Sequence, residues 1–440
     1  MRTMSSRRRV TLALAILVMF ALSSGCFGSC GKNPSSPDSP TPSDTSTLPP
    51  LACAVPTTGQ SGPTYYVAIN EPGADNSRCD GLSPTDRGNG HCPFKDFSSA
   101  RTFALLRNVS GVRVEVRAGV YTFVDEGLTI QGTGTSEAGR IVLTAYQNEG
   151  VVFDGRNALR EVIRMSGRFT ALERVTIRNA AAYNVQVGTG SDQLIQCNRF
   201  LANLASDSLK GVDGASQTII RDNDFSGWDS QAIDMTNVRS WTIANNDFHD
   251  PKNSTGNAIG AKFGSRDVRI TGNRFRNTRG LSFGGTSTAH SDDFEAYNLV
   301  AERNVFDTGT GAIVRFYSCS NCTFQNNDAK AVGGGFVLFG EQTDGPSGCA
   351  GGCRPTQGTT ITGNRLTDLR GTPSNTFWGV YRHEAEGLTA GGNLYCVPPD
   401  QDPRFRLDDQ DLVFTPWTNA IGTDGTSIVA RSDSPVCNAW

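Results

Sequence analysis

Short runs that alternate apolar and polar residues recur along most of the chain, separated by turns rich in glycine, asparagine and aspartate. Alternation with a period of two residues predicts half-buried β-strands. One phrase of this kind occurs eight times between residues 190 and 395. The copies read LIQCNRF, IIRDNDF, TIANNDF, RITGNRF, AERNVF, TFQNND, TITGNRL and TAGGNLY. The pattern therefore indicates a repeated strand–turn–strand unit.

The spacing of these copies predicts the architecture. The asparagines of the first five copies are separated by 25, 23, 27 and 31 residues. A period of roughly 20–30 residues is typical of a solenoid. Because a single unit cannot bury its own inner face, neighbouring units must stack on one another. We therefore predict an all-β fold, a single-stranded parallel β-helix in which each copy forms one coil.

The repeated asparagines have a structural explanation. At a sharp bend between two strands, asparagine tolerates left-handed backbone angles and hydrogen-bonds to nearby backbone. Stacked coil upon coil, identical amide side chains form a ladder. We expect a structural ladder, and no functional site, from Asn198, Asn223, Asn246, Asn273 and Asn304.

The ends of the solenoid need protection, because an exposed terminal coil is an open sheet edge. The apolar spacing of residues 93–108 predicts an amphipathic helix that caps the N-terminal end. We expect the β-helix to occupy residues 64–395 and a C-terminal cap to occupy residues 396–440.

The N-terminal region predicts export. Residues 1–25 combine three consecutive arginines with an apolar stretch too short to span a bilayer, which is typical of a signal peptide. The following Cys26 resembles the lipid-modified cysteine of bacterial lipoproteins. Residues 26–63 are rich in proline, serine and threonine and predict a flexible tether. We expect a protein anchored at a bacterial membrane surface through Cys26, or secreted if that cysteine is not processed.

The amino-acid composition argues against nucleic acid as a partner. The chain is 37% hydrophobic and 19% charged, with a net charge of −3. A nucleic-acid-binding protein usually carries a basic stripe, and the sequence has none. We expect a monomer that contacts a membrane only through its lipid anchor.

The cysteines fit an oxidising compartment. Ten cysteines follow residue 52, an even number that predicts disulfides in an exported protein. Cys79 and Cys92 flank one loop, and Cys396 and Cys437 bracket the C-terminal segment. Loop disulfides are also favoured over zinc binding for the two closely spaced pairs, Cys319 with Cys322 and Cys349 with Cys353. We expect Cys197, within a repeat, to be a buried apolar residue.

The N-terminal strands carry a family resemblance. The phrases VRAGVY (116–121) and GRIVLTAYQNEGVVFDG (139–155) resemble the opening of right-handed parallel β-helix proteins of the pectate-lyase superfamily. The repeats extend this resemblance over residues 64–395, and residues 258–287 resemble exported bacterial members. The resemblance implies a right-handed coil.

The strands that precede the repeats predict where a site lies. If alternate residues face opposite ways, Asp234, Lys262, Arg315 and Tyr317 point outward from neighbouring coils. Lysine is rare in this chain, with six in total, so a lysine within a strand is an unusual choice. Small residues nearby leave a shallow groove for an extended polymer: Gly260, Ser282, Gly284 and Gly285.

This constellation suits β-elimination of an acidic, uronate-containing polysaccharide. Superfamily members that use an aspartate-bound Ca²⁺ and a lysine base imply that Lys262 is the base. Arg315 would bind the substrate carboxylate or stabilise the enolate-like intermediate. Tyr317 and His290 are expected to contact substrate. The candidate calcium ligands are Asp207, Asp213, Asp229 and Asp234.

Other functions stay open from sequence alone. A glycoside hydrolase needs two spaced carboxylates, but the polygalacturonase motif set is not found in order. The Trp-Ile-Asp-His motif of the main pectate-lyase family is also missing. An epimerase that acts on the same uronates would use the same proton abstraction as a lyase, so the sequence does not separate the two. A non-catalytic glycan-binding or surface-scaffold lipoprotein also fits, since an outward lysine or a turn aspartate is usually just solvated.

Overall fold

The computed structural model describes residues 53–55, 58, 62–212, 214–254, 256–285, 294–331, 335–340, 354–369 and 376–438. Cys26, Asp213 and His290 lie outside the described residues, as do the predicted export signal and most of the tether. Among the residues that are described, every helix is too short or too polar to span a membrane.

Three long sheets form the body of the described chain, and each coil contributes one strand to each sheet. Sheet 1 contains Thr64–Val67, Arg113–Val116, Ile141–Ala145, Thr170–Glu173, Leu194–Gln196, Ile219–Arg221, Thr242–Ala244, Arg269–Thr271, Val300–Glu302, Thr323–Gln325, Thr360–Thr362 and Thr389–Gly391. Sheet 2 contains Leu128–Ile130, Glu161–Met165, Tyr183–Val187, Leu209–Gly211, Gln231–Thr236, Asn257–Lys262, Arg279–Phe283, Val314–Phe316, Val337–Phe339, Thr376–Val380, Arg404–Leu407 and Gln410–Leu412. Sheet 3 contains Gly119–Thr122, Val151–Asp154, Thr176–Arg178, Arg199–Phe200, Asp224–Ser226, Asp247–His249, Arg274–Arg276, Val305–Gly309, Asp328–Ala331, Arg365–Asp368, Leu394–Val397 and Ile428–Arg431.

Minor elements complete the fold. One small sheet pairs Gly190–Ser191 with Ala215–Ser216, and another joins Ser265–Arg266, Ala296–Tyr297 and Cys319–Ser320. The helices are α1 (Ala100–Asn108), α2 (Phe414–Ile421) and α3 (Pro435–Asn438), with 3₁₀ turns at Tyr146–Asn148 and Arg382–Glu384.

The strand pairing confirms the predicted all-β parallel β-helix. Successive strands of each long sheet pair in parallel, as in the register of Ile233 with Ile259 and Leu281 in sheet 2. The last pair of sheet 2, Arg404–Leu407 with Gln410–Leu412, is antiparallel. Parallel pairing also continues past residue 395, because Ile428–Arg431 pairs with Leu394–Val397.

The asparagine ladder is confirmed. The backbone N–H and Nδ2 of Asn198 both donate to Oδ1 of Asn223, at 2.9 and 3.1 Å. The same pair of bonds repeats along the stack and ends at Asn393. The left-handed residue is the one before each asparagine, for example Cys197 and Asp222 with φ of 59° and 56°. The expectation that the asparagine itself adopts left-handed angles is therefore wrong.

Stacked aromatic rings fill the interior beside sheet 3. Phe200, Phe225, Phe248, Phe275 and Phe306 occupy the same register in successive coils. Their ring centroids are 4.3, 4.9, 4.9 and 4.5 Å apart and the ring planes are nearly parallel. Because the rings are buried, each coil supports its neighbours through its core as well as through its backbone.

The predicted N-terminal helix is present but begins later than residue 93. Ser99 caps α1, with its hydroxyl accepting a hydrogen bond from the N–H of Thr102 at 3.2 Å. The carbonyl of Leu106 accepts the N–H groups of Gln131 and Gly132 at 3.0 and 2.9 Å. These bonds tie α1 to the first strand of sheet 2.

Four disulfides connect the described residues: Cys53–Cys197, Cys79–Cys92, Cys319–Cys322 and Cys396–Cys437. The loop disulfides are thereby confirmed, while Cys349 and Cys353 lie outside the described residues. Cys197 is buried as expected, but it is not an unpaired apolar residue, because it forms a disulfide with Cys53, 144 residues earlier. Disulfides of this number indicate an exported or extracellular protein.

Candidate functional site

The outer face of sheet 2 brings charged residues from several coils into one row. Strand register places Lys210 opposite Asp234, then Gly260, Ser282 and Arg315 on the following coils. Lys262 lies two residues beyond Gly260 on the same strand and pairs in register with Thr236. Because adjacent coils are about 4.8 Å apart, long side chains from this row meet across two or three coils.

An open cavity of about 250 Å³ lies on this face and is called the sheet 2 groove below. Its lining includes the three long side chains of Lys262, Arg315 and Tyr317. Small residues on the same face leave the space open: Gly260, Ser282, Gly284 and Gly285. The structure thus places together three of the four residues predicted to handle substrate.

Two glycines directly after the strand Arg279–Phe283 leave room for neighbouring groups. A Cβ atom on Gly285 would lie 3.2 Å from Cβ and 3.3 Å from Cδ of Lys262. Gly284 has a φ of +96°, and a Cβ there would lie 1.6 Å from the carbonyl oxygen of Tyr317. The course of the Lys262 side chain therefore depends on the absence of a side chain at residue 285.

Asp234 is the centre of a charged cluster beside the groove. Its Oδ2 is 3.2 Å from Nζ of Lys262 and also forms an ion pair with Lys210. The Asp234 side chain is 3% exposed, against 26% for Lys262 and 14% for Lys210. One buried carboxylate therefore holds two ammonium groups, one from the preceding coil and one from the following coil.

Asp207 is a second buried carboxyl group near this cluster. Burial, and then the charge of Asp234, raises the pKa of Asp207 to about 7. The hydroxyl of Ser206 donates to its Oδ2 at 3.2 Å. Oδ1 of Asp207 and Oδ1 of Asp234 are buried, with no hydrogen-bond partner among the described residues. At neutral pH a substantial fraction of Asp207 is therefore a neutral acid.

The predicted calcium ligands that the structure describes do not all lie together. Asp207 and Asp234 belong to one cluster, whereas Asp229 lines a neighbouring cavity of about 190 Å³ and lies 3.9 Å from Nζ of Lys252. Asp213 lies outside the described residues. Within the described part of the chain, no three His, Cys, Asp or Glu side chains are arranged to hold a metal ion. Because Asp234 is already held by two lysines, the described residues do not supply the six to eight oxygen ligands that Ca²⁺ takes.

Sequence reasoning missed Lys210 and Arg279. Lys210 is one of the six lysines and lies directly opposite Asp234, so the rarity that singled out Lys262 applied equally to it. Arg279 begins its strand at a coil corner, where the alternation of facing residues breaks down. Its side chain lies over Gly311, where a Cβ atom would be 2.8 Å from Cγ of Arg279.

Arg279 and Arg315 are neighbours on this face. Burial, and then the charge of Arg315, lowers the pKa of Arg279. The Nε atoms of both side chains are buried without a hydrogen-bond partner in the part of the chain that the structure describes. The end of the groove around Arg315 is therefore cationic.

Comparisons with known proteins agree with the fold. Residues 161–347 match the family model described as the right handed beta helix region. No curated protein sequence matches the chain. With its stacked parallel sheets and asparagine ladder, the chain is a right-handed parallel β-helix protein, as the resemblance implied.

Solved structures of three enzymes are similar to this chain at low identity. The alginate lyase from Paenibacillus sp. str. FPU-7 is 11% identical, over 74% of this chain and 94% of that chain, with a TM-score of 0.45. The pectate lyase Pel9A is 16% identical, over 86% of this chain and 82% of that chain, with a TM-score of 0.40. The A-module of the mannuronan C-5 epimerase AlgE6 from Azotobacter vinelandii is 12% identical, over 72% and 89%, with a TM-score of 0.45.

Proposed function

We propose that the protein binds an acidic, uronate-containing polysaccharide along the sheet 2 groove and cleaves it by β-elimination. The observation that carries this proposal is the meeting of Lys262, Arg315 and Tyr317 in one open cavity. An amine, a guanidinium and a phenol are the groups that proton abstraction beside a carboxylate requires. The groove also runs across coils, so an extended chain of sugars can lie in it.

The charges of the groove favour an anionic ligand. Lys262 and Arg315 line the cavity, and Arg279 lies beside Arg315. Neither arginine forms an ion pair within the described part of the chain. Guanidinium groups bind carboxylates in bidentate fashion, which fixes both position and orientation. A uronate carboxylate is therefore the group that this end of the groove binds best.

The chemistry follows from this placement. A proton next to a carboxylate becomes acidic enough to remove only when the negative charge is neutralised, and Arg315 supplies that neutralisation. Lys262 takes the C5 proton of the uronate once its ammonium group, which Asp234 holds at rest, has given up a proton to solvent. The electron pair forms the C4–C5 double bond, the C4–O bond breaks, and the leaving oxygen takes a proton from Tyr317. The products are a shortened chain and a chain with an unsaturated uronate at its end.

A glycoside hydrolase is the second candidate, and one observation favours it. The raised pKa of Asp207, beside an Asp234 that pairs with two lysines, resembles the unequal carboxyl pair of glycosidases. However, Asp207 and Asp234 are almost fully buried, and neither is among the residues that line the groove. Elimination by groups that line the open groove is therefore better supported than hydrolysis by buried ones.

The test is the ultraviolet absorbance of the unsaturated uronate product, measured on a panel of acidic polysaccharides. Wild type is compared with Lys262→Met and with Lys330→Met, a control that removes an exposed lysine from sheet 3. We expect absorbance from wild type and the control and none from Lys262→Met. New reducing ends without absorbance would establish the hydrolase, and binding without either product would establish a glycan-binding protein.

A further inference from the structure

The carboxylate of Asp234 is paired with lysine side chains. We infer that the ammonium group of Lys210 neutralises this carboxylate in place of a metal ion, so that the sheet 2 groove does not require calcium. This inference concerns the cation requirement of the site and goes beyond the reaction proposed above.

The first support is the contact itself. Lys210 lies directly opposite Asp234 in the strand register, on the preceding coil, and its Nζ pairs with Oδ2 of Asp234. Both side chains are largely removed from solvent, at 14% and 3% exposure. A buried carboxylate is stable only when a positive charge accompanies it. Lys210 supplies that charge from within the fold.

The second support is that the same oxygen has a second ammonium partner. Nζ of Lys262 is 3.2 Å from Oδ2 of Asp234 and approaches from the following coil. A divalent cation on the unpaired Oδ1 of Asp234 would share the carboxylate with both ammonium groups. Lys210 and a metal ion therefore compete for one carboxylate, and repulsion from the two ammonium groups disfavours a doubly charged cation there.

The third support is the small number of other oxygen ligands among the described residues. Asp207, three residues before Lys210, is the other described carboxyl group of the cluster, and Asp229 lines a separate cavity. Calcium requires six to eight oxygens, and in this part of the chain the unpaired Oδ1 atoms of Asp207 and Asp234 supply two. A tethered ammonium needs only a few acceptors, so this cluster satisfies a lysine better than a metal.

The inference is tested by calcium binding to the full-length protein, independently of any activity. Calorimetric titration and terbium luminescence are applied to wild type, Lys210→Met, Asp234→Asn and the control Lys330→Met. At about 1 mM Ca²⁺, the upper end of dissociation constants for extracellular calcium modules, we expect no saturable binding by wild type or control. We also expect Lys210→Met to melt roughly 5–10 °C below the control, since Asp234 loses a buried partner.

Saturable Ca²⁺ binding by wild type that disappears in Asp234→Asn would overturn the inference. A Tm of Lys210→Met equal to that of the control would overturn it as well. If Lys210→Met does not fold, Lys210→Arg replaces it. Lys210→Arg keeps the positive charge and is expected to fold and not to bind Ca²⁺. The Ca²⁺ titration of wild type tests the inference in either case. Because these readouts need no substrate, failure of the proposed elimination leaves the test intact.

Discussion

The side chain of Lys262 lies across Gly285 of the next coil, so closely that a single methyl group at residue 285 would reach within 3.2 Å of its Cβ. This contact is tighter than ordinary van der Waals packing and involves the stem that carries Nζ into the groove. In the proposed reaction, Gly285 therefore acts through the position of Lys262.

The first prediction concerns this contact. Gly285→Ala is expected to displace the Lys262 stem and lower kcat for elimination about 10-fold or more, because reacting groups tolerate little misplacement. Binding of polysaccharide should change less than kcat. The control is Gly425→Ala, where a Cβ atom meets nothing within 4 Å. Equal kcat in the two variants would show that Lys262 is not positioned through Gly285.

The second prediction uses the protonation of Asp207. Its pKa is raised from 3.8 to about 7 in the folded protein, so the folded state binds a proton more tightly than the unfolded chain between these values. The free energy of unfolding therefore falls as pH rises from about 4 to 7. Asp207→Asn has no carboxyl group to ionise, so this loss of stability is absent. At pH 8 the free energy of unfolding of Asp207→Asn should therefore exceed that of wild type by up to about 4 kcal/mol. Urea unfolding of both proteins at pH 5 and pH 8 measures the difference, and parallel pH dependences would contradict it.

The third prediction concerns the asparagine ladder. Asn246→Ala removes the Oδ1 that accepts both the N–H and Nδ2 of Asn223, leaving buried donors without partners. We expect a loss of about 2–4 kcal/mol in the free energy of unfolding. The matched control is Asn245→Gly, at the adjacent left-handed position that Gly272 fills in the next coil, and it should be nearly neutral. Similar losses in both variants would mean that the ladder contributes little.

The fourth prediction concerns recognition of charge. Arg279→Met and Arg315→Met should each weaken binding of an acidic polysaccharide about 10-fold, the effect of losing one charge-assisted contact. The loss should shrink as salt is raised. Arg315→Met should also lower kcat, whereas Arg279→Met should mainly raise KM. Affinity electrophoresis with acidic and neutral polymers separates charge recognition from unfolding, and unchanged binding by both variants would remove the arginines from the ligand site.

The fifth prediction concerns the N-terminal segment. Cys53–Cys197 fastens it to sheet 1, where the N–H of Thr58 donates to Oε1 of Glu173 at 3.2 Å. The variant Cys53→Ser with Cys197→Ser should be cleaved by added protease near residues 53–62 much faster than wild type. The three other disulfides of the described residues should remain, as mass spectrometry of the peptides would show. Unchanged cleavage would mean that the segment is held by other contacts.

The residues that were predictable share a simple basis. The ladder asparagines repeat at regular spacing, so the coil and its register could be aligned without a structure, and with them the outward placement of Asp234, Lys262 and Arg315. These placements depend only on the two-residue period of a strand.

The residues that were missed break that regularity. Arg279 begins its strand at a corner, where alternation no longer decides which way a side chain points. Cys197 pairs with a cysteine 144 residues away, and nothing in a local pattern reports such a contact. Lys210 as a partner of Asp234 also escaped prediction, because lysines and aspartates on one face are compatible with either a metal site or an ion-pair cluster.

The most direct test of the central proposal is the mass of the products formed from an acidic polysaccharide. Elimination by Lys262 and Arg315 predicts a product one water lighter than the hydrolysis product, and its loss in Lys262→Met. Products of the hydrolysis mass only, or equal yields from wild type and Lys262→Met, would contradict this account.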